Sequence, residues 1–222
     1  MSKAASALWG SLLLAGCAGA ATIGAPASSP APTASESRAG ERPGWRQVAT
    51  ERDAERLIGW RSLLDQARQR ILAGESRDEL LAGEGLYEVD SAVGYEAPPA
   101  GLYRCNMTKL AGKYLDLIAY DYFQCRVIVE DGRRQFVKLT GSQRQVGYIY
   151  DAAPDHAGDD GHGVFLGTLV LGDEDRLVPY GSREDRDEAG IVQKLAEKRW
   201  RMIFPKPFYE ADINIIDLQL IE

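Results

Sequence analysis

Residues 136–150 read FVKLTGSQRQVGYIY, and residues 162–174 read HGVFLGTLVLGDE. In the first run Val146, Tyr148 and Tyr150 fall on alternate positions, the period of a strand with two unlike faces. In the second, Val164, Leu166, Thr168 and Val170 oppose Phe165, Gly167, Leu169 and Leu171, so both faces are apolar. Glycine stands there where a helix would take alanine. These features mark a central strand packed on both sides.

Working outward, the period of two predicts strands over 101–107, 120–130, 134–139, 145–150, 164–171, 176–180, 191–195, 199–204 and 213–221. Glu130-Asp131-Gly132-Arg133 and Ala196-Glu197-Lys198 carry the residues of hairpin turns. Short strands in succession without intervening helices give an antiparallel meander. About eight of them suffice to close a barrel whose interior is filled by side chains or holds one small ligand. The expected fold is mainly β with N-terminal helices (α+β): a helical segment over 44–97 and a barrel-like antiparallel domain of about eight strands over 98–222, packed as one unit.

The helical segment has its own signals. Thr50 is placed as an N-cap with Asp53 three residues on, and Leu57, Trp60, Leu64, Ala67 and Ile71 follow a three-four spacing up to Gly74. Ser76 and Glu79 predict a second cap, for a short helix through Leu80 and Leu81 that Gly83 closes. Acids and arginines mix on the polar side, so the apolar stripe is expected to pack on the sheet rather than on a membrane.

The N-terminus predicts how the chain is held. Lys3 precedes an apolar run of about 12 residues, too short to span the ~30 Å hydrocarbon core. Leu14-Ala15-Gly16-Cys17 looks like a bacterial lipobox, which makes residues 1–16 a lipoprotein signal peptide and Cys17 the acylated first residue. Each buried methylene contributes about 0.8 kcal/mol, so several acyl chains amount to a permanent anchor. Ala18 in place of Asp favours, in that class, the outer membrane facing the periplasm. Residues 17–43 are rich in Ala, Ser, Pro, Thr and Gly and read as a disordered tether. Without the leader the charge is 25 basic minus 33 acidic residues, or −8, which argues against nucleic acid as a partner.

With Cys17 assigned to lipid, Cys105 and Cys125 remain. Each lies on the apolar alternation of a predicted strand, Tyr103-Cys105-Met107 and Phe123-Cys125-Val127, and the oxidising envelope favours a disulfide between them.

Candidate chemistry is sparse. His156 and His162 sit with Asp155, Asp159 and Asp160 in a Gly- and Asp-rich loop with no element to fix them, so a solvated tip is expected there and no metal. No GxSxG, P-loop or dinucleotide fingerprint occurs, and no cofactor is implied. Asp173, Glu174 and Asp187 are the carboxylates that a hydrolase reading would use. The more informative run is Lys138 to Arg144. Lys138 shares the alternation of Phe136, where barrel packing gives no reason for a charge. Together Lys138, Ser142, Gln143 and Arg144 at a barrel mouth would hold a carboxylate or phosphate.

The segments WRQVATERDAERLIGWR, PPAGLYRCNMTKL, FVKLTGSQRQVGYIY, VFLGTLVLGDE, VPYGSREDRDEAGIVQ and RWRMIFPKPFYEADINIIDLQL resemble an uncharacterised bacterial envelope family, domain of unknown function 4893. The resemblance spans nearly all of 45–220 and implies a signal-bearing, lipid-anchored domain, with no assigned site. Tyr103-Arg104-Cys105 and a single disulfide also look like the small barrel lipoproteins that inhibit c-type lysozyme. This chain is longer than those proteins and has no SGxxY run matching their inhibitory loop, TGSQR at 140–144 being the nearest. The first expectation is therefore a non-enzymatic barrel that binds a small ligand or an envelope partner. The alternatives are an inhibitor of a wall-cleaving enzyme and a carboxylate-dependent hydrolase.

Overall fold

The computed structural model describes residues 43–152, 161–172, 174 and 176–221. Eight strands follow one another: β1 (Gly101–Leu110), β2 (Leu117–Glu130), β3 (Arg133–Lys138), β4 (Gln143–Ala152), β5 (His162–Leu171), β6 (Asp187–Ala196), β7 (Arg199–Pro205) and β8 (Ile213–Leu220). Each pairs antiparallel with the next, and β8 returns to β1, so the barrel is closed. Closure removes the sheet edges that would otherwise template aggregation. The β2–β3 hairpin turns on Asp131 (φ 48°) and Gly132 (φ 68°), a pair of left-handed residues suited to the strand twist.

The interior is filled rather than hollow at mid-height. Tyr103, Phe136, Phe165, Trp200 and Phe204 are buried there among Met107, Met202, Ile216 and Leu218. Edge-to-face pairs link Phe136 to Phe165 (5.9 Å between centroids), Phe165 to Phe204 (5.6 Å) and Tyr103 to Trp200 (6.1 Å). Gly147 and Gly167 face each other across β4 and β5. A Cβ on Gly147 would lie 2.4 Å from the Gly167 Cα and 2.8 Å from the Phe165 ring, so this close approach requires glycine.

Cys105 and Cys125 are joined, with Cα atoms 5.9 Å apart. The link is diagonal: in the β1–β2 register Cys105 faces Phe123 and Cys125 faces Tyr103. It closes a loop between residues 20 apart in sequence, worth about 3 kcal/mol in the chain-entropy account.

Four helices precede the barrel: α1 (Trp45–Val48), α2 (Glu51–Ile58), α3 (Trp60–Leu72) and α4 (Arg77–Leu81). Leu57, Trp60, Leu64 and Ile71 pack on Val164, Leu166, Ala189, Ile191, Ile203 and Ile215, the outward residues of β5 to β8. That contact explains why β5 is apolar on both faces. The same wall holds Arg201, fully buried, whose guanidinium donates to Gln193 Oε1 (2.7 and 3.0 Å) and to the carbonyls of Leu86 (2.9 Å) and Val89 (3.2 Å). It ties the segment after α4 to the barrel.

Several expectations need correction. The single helix expected from Thr50 to Ile71 is two, because Gly59 (φ −84°, ψ 0°) ends α2 and starts α3. Thr50 does cap α2, accepting from the Asp53 N–H, whereas Ser76 makes no side-chain cap on α4. Residues 176–180 are not a strand. Pro179 lacks an N–H, and the chain there crosses from β5 to β6 outside the sheet, Tyr180 donating to Asp53 Oδ2 (2.6 Å) and accepting from the Thr50 N–H (3.1 Å). Finally, β6 begins at Asp187, four residues before the expected start.

Candidate functional site at the barrel mouth

One end of the barrel is formed by the ends of β1, β3, β5 and β7 and the starts of β2, β4, β6 and β8. Here the inward alternation of β1 runs Tyr103-Cys105-Met107 and ends on Lys109, while that of β3 runs from Phe136 to Lys138. Both lysines are buried, at 5% and 3% exposure. They line a pocket of about 180 Å³, whose polar wall is Ser142, Gln143 and Glu210 and whose apolar wall is Met107, Tyr120 and Phe123.

The lysines are held differently. Lys138 Nζ donates to the carbonyls of Thr140 and Gln143, both at 2.9 Å, and lies 3.7 Å from the Phe123 ring centroid. It therefore braces the β3–β4 turn, a structural use of the charge that strand alternation does not foretell. Lys109 Nζ donates to Gln143 Oε1 (3.2 Å), contacts the Glu210 carboxylate and faces the Tyr120 ring at 5.7 Å. Gln143 thus joins the two ammonium groups, one through its side chain and one through its backbone.

Burial pushes the Lys138 ammonium down to about 8, and the positive charges of Arg144 and Lys109 act in the same direction. Desolvation lowers Lys109 as well, with Glu188 opposing it. Glu188, inward on β6, is driven up to about 7 by desolvation. Among the described residues, three buried acceptors in this layer have no hydrogen-bond donor from the protein: Glu188 Oε2, Gln145 Oε1 and Asn214 Oδ1. Across β1–β8 pairing Asn214 stands opposite Lys109. The mouth is thus a pair of desolvated cations above a floor of acceptors, and those acceptors are satisfied by donors such as the ammonium groups and not by an anion.

Of the four residues expected to form an anion site, Lys138, Ser142 and Gln143 converge on this pocket. Arg144 does not: it points outward on β4 and donates to the Glu174 carbonyl (3.2 Å). Lys109 and Glu210 were not among the four. Lys109 continues the Tyr103-Cys105-Met107 alternation, so the reasoning that singled out Lys138 reaches it too. Glu210 lies in the β7–β8 loop and has no such signal.

The hydrolase carboxylates are occupied or undescribed. Glu174 takes both oxygens to Arg186 (2.6 and 3.1 Å) and accepts from the Leu171 N–H. Asp187 accepts from the Gly181 N–H at 2.8 Å. Asp173 lies outside the described residues, as do His156, Asp155, Asp159 and Asp160. His162 begins β5, opposite Ala152. Among the described residues, no group of three or more His, Cys, Asp or Glu side chains is placed to hold a metal.

The opposite end of the barrel carries a larger cavity, about 710 Å³, along Arg133, Arg134, Tyr148 and Asp151. Its cations are already engaged: Arg134 lies 3.6 Å from Asp151, and Arg133 stacks 3.8 Å over Tyr148.

The sequence profile of the family described as "Domain of unknown function (DUF4893)" matches residues 45–218, from the first residue of α1 to Leu218 in β8. The chain belongs to this family. No curated protein and no solved structure matches it. The match includes every residue of the mouth described above, so the pocket lies within the family domain.

Proposed function

We propose that the protein is a lipid-anchored envelope barrel that binds a small anion at its mouth and carries out no catalysis there. The observation that supports this most is the pair of buried lysines, Lys109 and Lys138, turned toward one pocket and bridged by Gln143. Burying two like charges side by side costs free energy that packing does not recover, and a bound anion offsets it. The aromatic wall, Tyr120 and Phe123, gives the rest of a ligand an apolar surface.

The location rests on sequence. Leu14-Ala15-Gly16-Cys17 supplies the acylation signal, and residues 17–43 are the tether that lets the barrel stand off an outer membrane on its periplasmic side. The disulfide accords with an oxidising compartment.

Two experiments test the reading. Cells fed labelled palmitate should label the protein, and Cys17→Ser should abolish the label; persistent labelling of the variant contradicts the anchor. Purified protein titrated with small carboxylates and inorganic phosphate should bind at least one anion, and Lys138→Met should weaken that binding tenfold or more. Flat titrations for every anion contradict the site.

A further inference from the structure

Among the described residues lining the pocket, Glu210 is the one acid, and its placement is unusual. Its backbone takes a left-handed conformation (φ 72°), which a residue other than glycine adopts only when its surroundings hold it there. From that position the carboxylate lies on Lys109 Nζ, although the Glu210 side chain itself is 57% exposed. The same loop is pinned at Glu210, whose carbonyl accepts from the Lys113 N–H at 3.4 Å. A carboxylate that is half in water therefore sits on a lysine that is almost entirely out of it.

We infer that Glu210 is an internal stand-in for the ligand, occupying the anion subsite on Lys109 until a small carboxylate with a compact apolar body displaces it. This rests on the reading of the mouth as an anion site and adds the ligand's class and its competitor.

Donor count favours a carboxylate over a phosphate. An ammonium has three donors. Lys138 spends two on Thr140 and Gln143, leaving one. Lys109 spends one on Gln143 and one on Glu210, so two are free once Glu210 leaves. Three donors from two point charges match a planar group with two oxygens and one charge. They undersupply a phosphate, which carries up to two charges and more acceptor sites. The body of the ligand follows from the walls. A pocket of about 180 Å³ flanked by Met107, Tyr120 and Phe123 suits something the size of one six-membered ring, since an apolar cavity of about 150 Å³ holds benzene. Displacing Glu210 is inexpensive because its carboxylate returns to water, while the incoming group brings apolar surface that Glu210 lacks.

Benzoate, benzamide and inorganic phosphate titrated calorimetrically into the full-length protein at pH 7 test this, with Glu210→Gln and Lys109→Met alongside. Glu210→Gln keeps the side chain's shape and an oxygen that Lys109 can still donate to, and a urea midpoint for the variant checks that it folds. Benzoate should bind the wild type, benzamide should bind at least tenfold more weakly, and Glu210→Gln should tighten benzoate five- to tenfold. Adding Lys109→Met to Glu210→Gln should erase that gain. Benzoate binding equally to wild type and Glu210→Gln, with Lys138→Met still weakening it, overturns the stand-in and leaves the anion site intact. Phosphate binding more tightly than benzoate overturns the carboxylate class. No binding by either anion to wild type and to Glu210→Gln overturns the anion site, and the stand-in falls with it.

Discussion

The two halves of the barrel wall follow different rules although one sheet joins them. From β5 to β8 nearly every residue is buried, because α2 and α3 lie on the outer face and the aromatic rings fill the inner one. β2 instead alternates, with Gln124 and Arg126 exposed on either side of buried Cys125, and Tyr122 also faces water. A covered wall tolerates a long apolar run and can bury a charge such as Arg201, whose guanidinium has dedicated partners, whereas Glu188 Oε2 and Asn214 Oδ1, which face the barrel interior, have none among the described residues. A bare wall shows alternation, and its mouth is where charge can reach both the interior and solvent. Lys138 ends β3 in the less covered half, while Lys109 is the last but one residue of β1, flanked by Thr108 and Leu110, which are buried under the helical segment.

The largest expected effect lies in the covered wall. Arg201→Met should cost about 4 kcal/mol in urea denaturation, since it leaves Gln193 and two or more carbonyls unpaired beneath the helices. A loss under ~1 kcal/mol would mean the segment after α4 is not held by that residue. Replacing both Cys105 and Cys125 by alanine should cost about 3 kcal/mol, again by urea midpoint. Because that bond braces β1 to β2, hydrogen exchange should rise there before it rises in β6 and β7.

The next test is a pH series. Glu188 titrates near 7 in the folded chain against 4.5 for a free glutamate. Between those values the folded protein holds a proton that the unfolded chain has shed, so stability falls as pH climbs and the deficit is complete above 7. Glu188→Gln should therefore stabilise by about 3 kcal/mol at pH 8 and by nothing near pH 4, at ~1.4 kcal/mol per pH unit. A pH-independent difference would remove Glu188 from the interior layer. The smallest effect is expected from Arg126→Ala on the bare wall, within ~0.5 kcal/mol of wild type. A larger loss there would erase the distinction between the two halves.

The same contrast governs what could be read without coordinates. The double-faced run 164–171 and the alternation in Tyr103-Cys105-Met107 point to a barrel-like meander of about eight strands and to the disulfide, whereas closure, the pairing of β8 with β1, has no local signal. Where burial or a tertiary partner held polar residues, local pattern misled. Asp187, bonded to the Gly181 N–H, and buried Glu188 open β6, yet two adjacent acids look like the end of a loop. Leu177 and Val178 look like a strand, yet Tyr180 is drawn off the sheet to Asp53 and Thr50. Gly59 breaks a helix whose apolar spacing passes straight through it. At the mouth, Lys138 stood out because it interrupts an apolar face. Glu210 could not, since its role comes from a loop conformation that brings it to a strand 101 residues away in sequence.

On the proposed reading an anion binds at the lysine-lined mouth and not at the wider opposite end. Backbone amide shifts of labelled protein titrated with benzoate address it directly. The account predicts saturable shifts at Lys109, Phe123, Lys138, Ser142, Gln143 and Glu210, with Arg133, Arg134 and Tyr148 unmoved. Shifts concentrated at Arg133, Arg134 and Tyr148, or none that saturate, would contradict it.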